Sequence, residues 1–287
     1  MDIDGRTAVY ALIGKPVGHS GSPAMYNMCF KKLGLNSVYV AFEVDESGTA
    51  AAIEGARALG IRGMNVTMPC KKAAAAAMDA LSPAAAMTGA VNTIVNDGGR
   101  MTGYITDGEG FVNNLRDHGA EVCGNRLVLI GAGGAASAIE AQCAIEGARE
   151  ISVFAQRAEY AESCRVMAER IMSGAPGCNI NVYELADKDR LSYETEKSGI
   201  FINGTSIGMG AKREESPADG AVIFREGLFV ADVVYEPRET RLVKEARAAG
   251  CRAVGGIGML LWQGAAAFHL FTGRKMPTDD VRELFAG

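Results

Sequence analysis

A chain of 287 residues, 48% hydrophobic and 22% charged, can bury a sizeable core and has room for one large domain or two ordinary ones. A net charge of −5, without a basic patch or a long Lys/Arg run, argues against nucleic acid as the main partner. No apolar run approaches the ~20 residues that span a bilayer, and no basic, apolar and cleavable leader is evident, so no membrane partner and a cytoplasmic location are expected.

Residues 8–13 (AVYALI) read as a short buried strand running into a glycine-punctuated loop that closes at Gly21. Ser22 and Pro23 predict a helix start, with serine as N-cap and proline in the first turn. Residues 38–44 predict a second strand and residues 49–59 an amphipathic helix. A third strand is expected over 61–66, with Pro69 opening an Ala-rich helix over 69–79. Ser82 and Pro83 mark another short helix, followed by strands 91–95 and 101–105 around a turn at 96–99.

A second α/β series begins after a helix at about 109–118. Residues 127–130 (LVLI) form a short apolar strand leading directly into Gly131, Ala132, Gly133, Gly134, Ala135 and Ala136, and a helix continues to about Gly147. Gly131, Gly133 and Ala136 match G-x-G-x-x-G/A in the strand–turn–helix setting the motif requires. The first glycine permits the tight turn and the second lets the backbone approach a pyrophosphate. The small third residue lets the helix pack on the strand, and the helix N-terminus offers N–H donors. A dinucleotide cofactor is expected here.

Strand 150–154 and a polar helix to about 172 follow. Later strands are expected at 180–183, 200–203, 228–233 and 252–254, with helices at 240–249, 257–271 and 278–285. This alternation predicts an α/β protein with a mostly parallel sheet. Where strand 150–154 ends, an acid would favour NAD through the ribose and an arginine NADP through its 2′-phosphate. The chain reads Phe154, Ala155, Gln156, Arg157, Ala158, Glu159, so the cofactor is NADP or NAD, with Arg157 favouring NADP.

The seven cysteines are odd in number, scattered and without a C-x-x-C pair, which predicts buried free thiols in place of a disulfide framework or zinc site. His19, His118 and His269 are dispersed and share no ligand spacing with them, so no metal is expected.

Polar clusters stand at strand ends in segments otherwise built for burial: His19, Ser20 and Ser22; Asn65 and Thr67; Asn92 and Thr93; Thr106 and Asp107; and Gln263 within an apolar helix. Singly, each has a structural explanation, such as a cap or a closed turn. Together they offer hydroxyl, amide, imidazole and carboxylate groups, a set suited to holding a hydroxylated acid.

Five motifs in order make the resemblance specific: residues 14–27 (GKPVGHSGSPAMYN), 63–71 (GMNVTMPCK), 89–93 (GAVNT), 106–110 (TDGEG) and 258–264 (GMLLWQG). They resemble the shikimate dehydrogenase family over nearly the whole chain. Residues 81–85 (LSPAA), 92–97 (NTIVND) and 259–263 (MLLWQ) look most like its quinate/shikimate dehydrogenase branch.

The resemblance implies a substrate-binding and catalytic domain over 1–108, joined by C-terminal helices 257–287, and a Rossmann-type doubly wound dinucleotide-binding domain over 109–256, with the active site in the cleft between them. It implies that Ser20 and Ser22 bind the substrate carboxylate, that Asn65, Thr67, Asn92 and Gln263 bind the carboxylate and ring hydroxyls, and that Tyr235 closes the carboxylate end. Gly131, Ala132, Gly133, Gly134 and Ala135 would hold the pyrophosphate, Arg157 the adenosine ribose. Asn203, Thr205, Met209, Gly255 and Met259 would line the nicotinamide side.

Lys71 and Asp107 match the family pair that brackets the reacting hydroxyl. A lysine, with an ordinary pKa of about 10.4, can donate a proton to a nascent alkoxide. A cation in the first turn of a helix is electrostatically unfavourable, which fits a special role for Lys71 and leaves Lys72 as a surface lysine. The implied activity is reversible hydride transfer between the cofactor and shikimate or quinate, by a monomer or homodimer. The rival readings are a dehydrogenase of another cyclic hydroxy acid and a non-catalytic metabolite or nucleotide sensor. Two departures from the family pattern stand out. Ile105 replaces an asparagine before Thr-Asp-Gly, and Ala155-Gln156-Arg157 replaces an Asn-Arg pair.

Overall fold

The computed structural model describes residues 3–222 and 224–286, and the chain divides into two compact units, Met1–Thr106 with Gln263–Gly287, and Asp107–Trp262. The first division falls at the start of a helix and the second inside one.

The first unit contains β1 (Ala8–Gly14), α1 (Ser22–Lys32), β2 (Ser37–Glu43), α2 (Thr49–Leu59), β3 (Gly63–Val66), α3 (Lys71–Ala76), β4 (Ala80–Leu81), α4 (Pro83–Thr88), β5 (Thr93–Asp97) and β6 (Arg100–Tyr104). Its strands lie in the order β2-β1-β3-β5-β6-β4. β1 runs parallel to both β2 and β3, whereas β5 is antiparallel to β3 and to β6, so this sheet is mixed. The reversal is made by Gly98 and Gly99, both at positive φ (59° and 98°), between the paired residues Asp97 and Arg100. Two successive left-handed residues are what a tight hairpin needs and what glycine adopts without strain.

In the second unit, α5 (Asp107–Asp117) precedes β7 (Arg126–Ile130), α6 (Gly134–Ile145), β8 (Glu150–Ala155), α7 (Ala158–Gly174), β9 (Asn179–Glu184), α8 (Lys188–Lys197), β10 (Ile200–Asn203), β11 (Phe229–Asp232), α9 (Arg241–Ala248) and β12 (Arg252–Val254). α10 (Ile257–Thr272) spans the second division, and α11 (Thr278–Ala286) ends the chain's described part. The strand order β12-β11-β10-β7-β8-β9 is parallel throughout and reverses direction of growth between β7 and β10. That point is where open α/β sheets bind ligands, at the carboxyl ends of the strands. Leu127, Val128, Leu129 and Ile130 are wholly buried, as expected of a central parallel strand covered on both faces.

Several sequence expectations are corrected. The N-cap of α1 is Gly21, not Ser22, and the helix has no side-chain cap; the Ser20 hydroxyl accepts from the Ser22 amide instead, at 3.2 Å. The helix expected over 69–79 is only Lys71–Ala76. It stops because Asp79 is tied to β6: its amide donates to Met101 O (2.9 Å) and its carboxylate accepts from Met101 N (2.6 Å). Of the seven free cysteines six are buried, but Cys123 is exposed. α8 adds a helix that the sequence pattern does not predict: its residues, KDRLSYETEK, lack an apolar stripe, and its start is marked by Asp187 accepting from Arg190 N. Among the described residues no helix is long and apolar enough to cross a membrane.

Candidate active site

In the first unit the polar residues gather where β1 and β3 end and β5 begins. The backbone there is crowded. A Cβ on Gly14 would lie 2.3 Å from Thr67 Cγ2, so only glycine lets β1 end against Thr67. Thr67 N donates to Ile13 O (2.9 Å), Val66 N to Asn92 O (2.8 Å), and Val91 N to Lys71 O (3.0 Å). Lys71, the first residue of α3, is thereby pinned to the residue before Asn92; it is half-buried, while Lys72 is exposed.

A buried polar chain runs behind these residues. Tyr39 Oη donates to Asn65 Oδ1 (2.8 Å), and Asn65 Nδ2 donates to Thr93 Oγ1 (3.1 Å) and Asn92 O (3.3 Å). Asn92 Oδ1 accepts from Thr106 N (2.8 Å), Thr106 Oγ1 (3.2 Å) and Thr93 Oγ1 (3.0 Å). Both polar atoms of Asn65 thus have protein partners. Its amide braces the strands that carry Thr67 and Asn92.

Tyr26 stacks on Tyr39, with ring centroids 4.5 Å apart, and donates through Oη to Gly264 O (3.1 Å). Burial raises both phenols above their ordinary range, so they stay neutral donors. A Cβ on Gly264 would meet Met25 Cε at 2.8 Å, so α10 crosses α1 closely at the residue after Gln263. Ser22 lies one turn before Tyr26 on α1, and it, Ser20 and Gln263 are half-buried.

In the second unit, Asp107 opens α5 and is half-buried, with Glu109 the other acid of that first turn. The adjacent Gly108 lies against α6, where a Cβ would come within 2.2 Å of Ala138 O. Glycine in the T-D-G motif therefore seats Asp107 beside the helix that follows the glycine turn. The departure at Ile105 is absorbed by the core, where its side chain is buried, and Thr106 is held by Asn92 instead.

The glycine turn occupies the switch point. Gly131 (φ +133°) donates to Phe154 O, and a Cβ on it would meet Gly204 O at 3.0 Å. A Cβ on Gly204 would in turn meet Ala136 Cβ at 3.0 Å, so the small residues at 131, 136 and 204 let β7, α6 and the end of β10 converge. Gly133, Gly134, Ala132 and Ala135 are exposed or half-buried, and added Cβ atoms on Gly133 and Gly134 would meet open space. α6 has no side-chain cap, so its first N–H groups face that space. Uncapped donors, positive dipole and bare glycine backbone fit a dinucleotide pyrophosphate. Arg157, at the N-cap of α7, is exposed, pairs with Glu159 at 3.3 Å and lies over the Tyr160 ring.

The residues expected on the nicotinamide side separate into two kinds. Asn203 is wholly buried: Nδ2 donates to Asp232 Oδ1 (2.9 Å) and Ile207 O (3.0 Å), and Oδ1 accepts from Thr205 N (3.1 Å) and Thr205 Oγ1 (2.7 Å). Thr205 Oγ1 also accepts from Ile207 N at 3.0 Å. The Asn203 side chain shapes its own loop, and the Thr205 hydroxyl does the same. Met259 is likewise buried. Met209 and Tyr235 are exposed, and Gly255 is half-buried, packed so that a Cβ would meet Arg238 O at 2.9 Å.

Sequence reading misses Tyr39, Asp232 and Thr240. Asp232 carries a usable signal, an acid ending the apolar strand FVAD next to the motif VVYEP; Thr240 carries none.

Comparison with known proteins decides the family. Residues 12–94 match the model of the shikimate dehydrogenase substrate binding domain, and residues 256–284 that of the shikimate 5′-dehydrogenase C-terminal domain. Shikimate dehydrogenase (NADP(+)) of Listeria monocytogenes serotype 4b is 42% identical over 282 residues, 98% of this chain and 97% of the relative. The chain belongs to the shikimate dehydrogenase family. The crystal structure of shikimate 5-dehydrogenase from Listeria monocytogenes, in complex with shikimate and NAD, superposes with a TM-score of 0.95 at 41% identity, covering 99% of this chain and 98% of that one. Quinate dehydrogenase from Corynebacterium glutamicum, in complex with NAD, gives 0.86 at 29% identity, covering 98% and 99%. Family membership accounts for the pairing seen above, a mixed-sheet unit rich in hydroxyl and amide groups and a parallel-sheet unit with a glycine turn.

Proposed function

We propose that this protein is an NAD(P)-dependent oxidoreductase that interconverts shikimate, or the related quinate, and the corresponding ring ketone. The full-length identity to the Listeria shikimate dehydrogenase carries this reading. Six cysteines buried as free thiols favour a reducing compartment, the cytoplasm.

When bound, the nicotinamide supplies or accepts the hydride. The N–H groups at the start of α6 would hold its pyrophosphate, and Arg157 would face the adenosine ribose, where a guanidinium suits a 2′-phosphate. Ser20 and Ser22 donate to the substrate carboxylate, with Tyr235 at the same end. Asn65, Thr67, Asn92 and Gln263 bind the carboxylate and ring hydroxyls. Asn92 has its oxygen engaged by Thr93 and Thr106, which leaves the amide nitrogen to donate. Lys71 gives a proton to the oxygen that gains charge during ketone reduction and takes it back during oxidation. Asp107, on the other side of the reacting hydroxyl, accepts a hydrogen bond from it and orients it.

Reduced-cofactor absorbance, followed with shikimate and with quinate, each with NADP and with NAD, tests the reading. Turnover in at least one pair is expected. Silence in all four would favour a sensor or a different hydroxy acid.

A further inference from the structure

Asn203 and Asp232 end adjacent strands, β10 and β11, and stand directly opposite each other in the parallel register. Both are buried, at 0% and 2% exposure, in the wall of the switch point. The Asp232 carboxylate is fully engaged: Oδ1 accepts from Asn203 Nδ2 and from Val234 N, each at 2.9 Å, and Oδ2 accepts from Thr240 Oγ1 at 2.6 Å. Thr240 is the N-cap of α9, accepting from Val243 N, and its Cγ2 lies where a Cβ on Gly208 would come within 3.1 Å.

These contacts reach both ends of one loop. Asn203, held by Asp232, fixes Thr205 and Ile207 at the start of residues 204–209. Thr240, held by the other carboxylate oxygen, packs on Gly208 near the end. Gly204 in the same loop touches Ile130, Ala136 and Gly131, the glycine turn itself. A dinucleotide lying with its pyrophosphate on α6 and crossing the switch point therefore meets this loop next.

We propose that Asp232 is the positioning residue of the cofactor site: through Asn203 and Thr240 it holds loop 204–209 in the shape that receives the nicotinamide half. The proposal rests on the dehydrogenase reading above. Three donors converge on one side chain, a demand that only an acceptor-only group meets. An asparagine in its place would turn an N–H₂ group toward a donor. Burial opposes the charge and raises the carboxyl to about 6 against the lowering effect of its three partners, a cost that packing alone does not explain.

The test compares Asp232→Asn, Thr240→Val and Thr240→Ser with the wild type. NADPH binding is read by its fluorescence, KM for NADP and for shikimate by initial rates, and amide exchange by mass spectrometry over residues 204–210 with 134–145 as reference. Asp232→Asn and Thr240→Val should each weaken NADPH binding and raise KM for NADP by about tenfold or more, with KM for shikimate within about twofold. Thr240→Ser, which keeps the hydroxyl, should stay within about twofold of wild type in all three. Exchange over 204–210 should quicken while 134–145 is unchanged. Should Asp232→Asn fail to fold, Thr240→Val carries the comparison.

Unchanged NADPH binding in a folded variant, equal rises in both KM values, or faster loop exchange without weaker binding would each overturn the proposal. Wild-type protein that binds NADPH but turns over neither shikimate nor quinate would refute the dehydrogenase reading alone. Wild-type protein that binds neither NADPH nor NADH would remove both.

Discussion

Tyr39 donates its buried hydroxyl to Asn65 Oδ1 across 2.8 Å, and the amide of Asn65 hands that constraint on to Asn92 and Thr93. The residues flanking the proposed substrate are therefore braced from behind by a tyrosine that is itself buried. Tyr39→Phe removes the donor and leaves a buried carbonyl oxygen unsatisfied, which costs about 1–3 kcal/mol. Urea unfolding should show that loss. A stability equal to wild type would mean that the chain behind Asn92 is not a constraint.

Ser20 and Ser22 are half-buried, and the helix between them and Tyr26 is not capped by either as a conventional Ser N-cap would be. A carboxylate anchor acts in the ground and transition states alike, so its loss raises KM and spares turnover. Ser22→Ala should raise KM for shikimate by about tenfold, the worth of one charged hydrogen bond, with kcat within about threefold. A kcat loss with unchanged KM in steady-state rates would place Ser22 elsewhere in the mechanism.

Arg157 is the one cation in the short stretch between β8 and the first turn of α7. If it faces the adenosine ribose, Arg157→Ala should raise KM for NADP by about tenfold and leave NAD within about twofold, since only NADP carries the extra phosphate. Parallel changes for both cofactors would remove Arg157 from cofactor selection.

Glu140 is buried on α6, with Oε1 lacking any hydrogen-bond partner, and desolvation raises its carboxyl to about 8. Its neighbours in the field are thiols, Cys143, Cys164 and Cys178, not cations. A folded-state value above the unfolded one stabilises fully only below the unfolded value. The contribution is then lost as pH rises toward 8, by up to about 1.4 kcal/mol per pH unit. Urea midpoints measured from pH 5 to 8.5 should fall more steeply for wild type than for Glu140→Gln, which cannot ionise. Parallel curves would show that Glu140 is already charged at low pH.

Much of the fold is legible in the sequence because its signals are local. The strand–glycine–helix pattern at 127–145 follows from backbone sterics, and the Gly98-Gly99 hairpin from left-handed φ. What stays hidden depends on contacts distant in sequence. The Ala-rich stretch after Pro69 favours helix throughout, yet Asp79 is drawn to Met101 and the helix ends early. Spacing also cannot tell which end of an amide is already taken. Asn65 and Asn203 read like ligand residues from their motifs, and only the positions of Tyr39 and Asp232 reveal that both amides are bonded within the protein.

The central claim is that Lys71 handles the proton that accompanies hydride transfer, and Lys71→Ala measures it most directly. Steady-state and single-turnover rates with shikimate and NADP should show kcat reduced by at least about a hundredfold, with shikimate binding changed by no more than about threefold. A folded Lys71→Ala protein that turns over within about twofold of wild type would contradict the account.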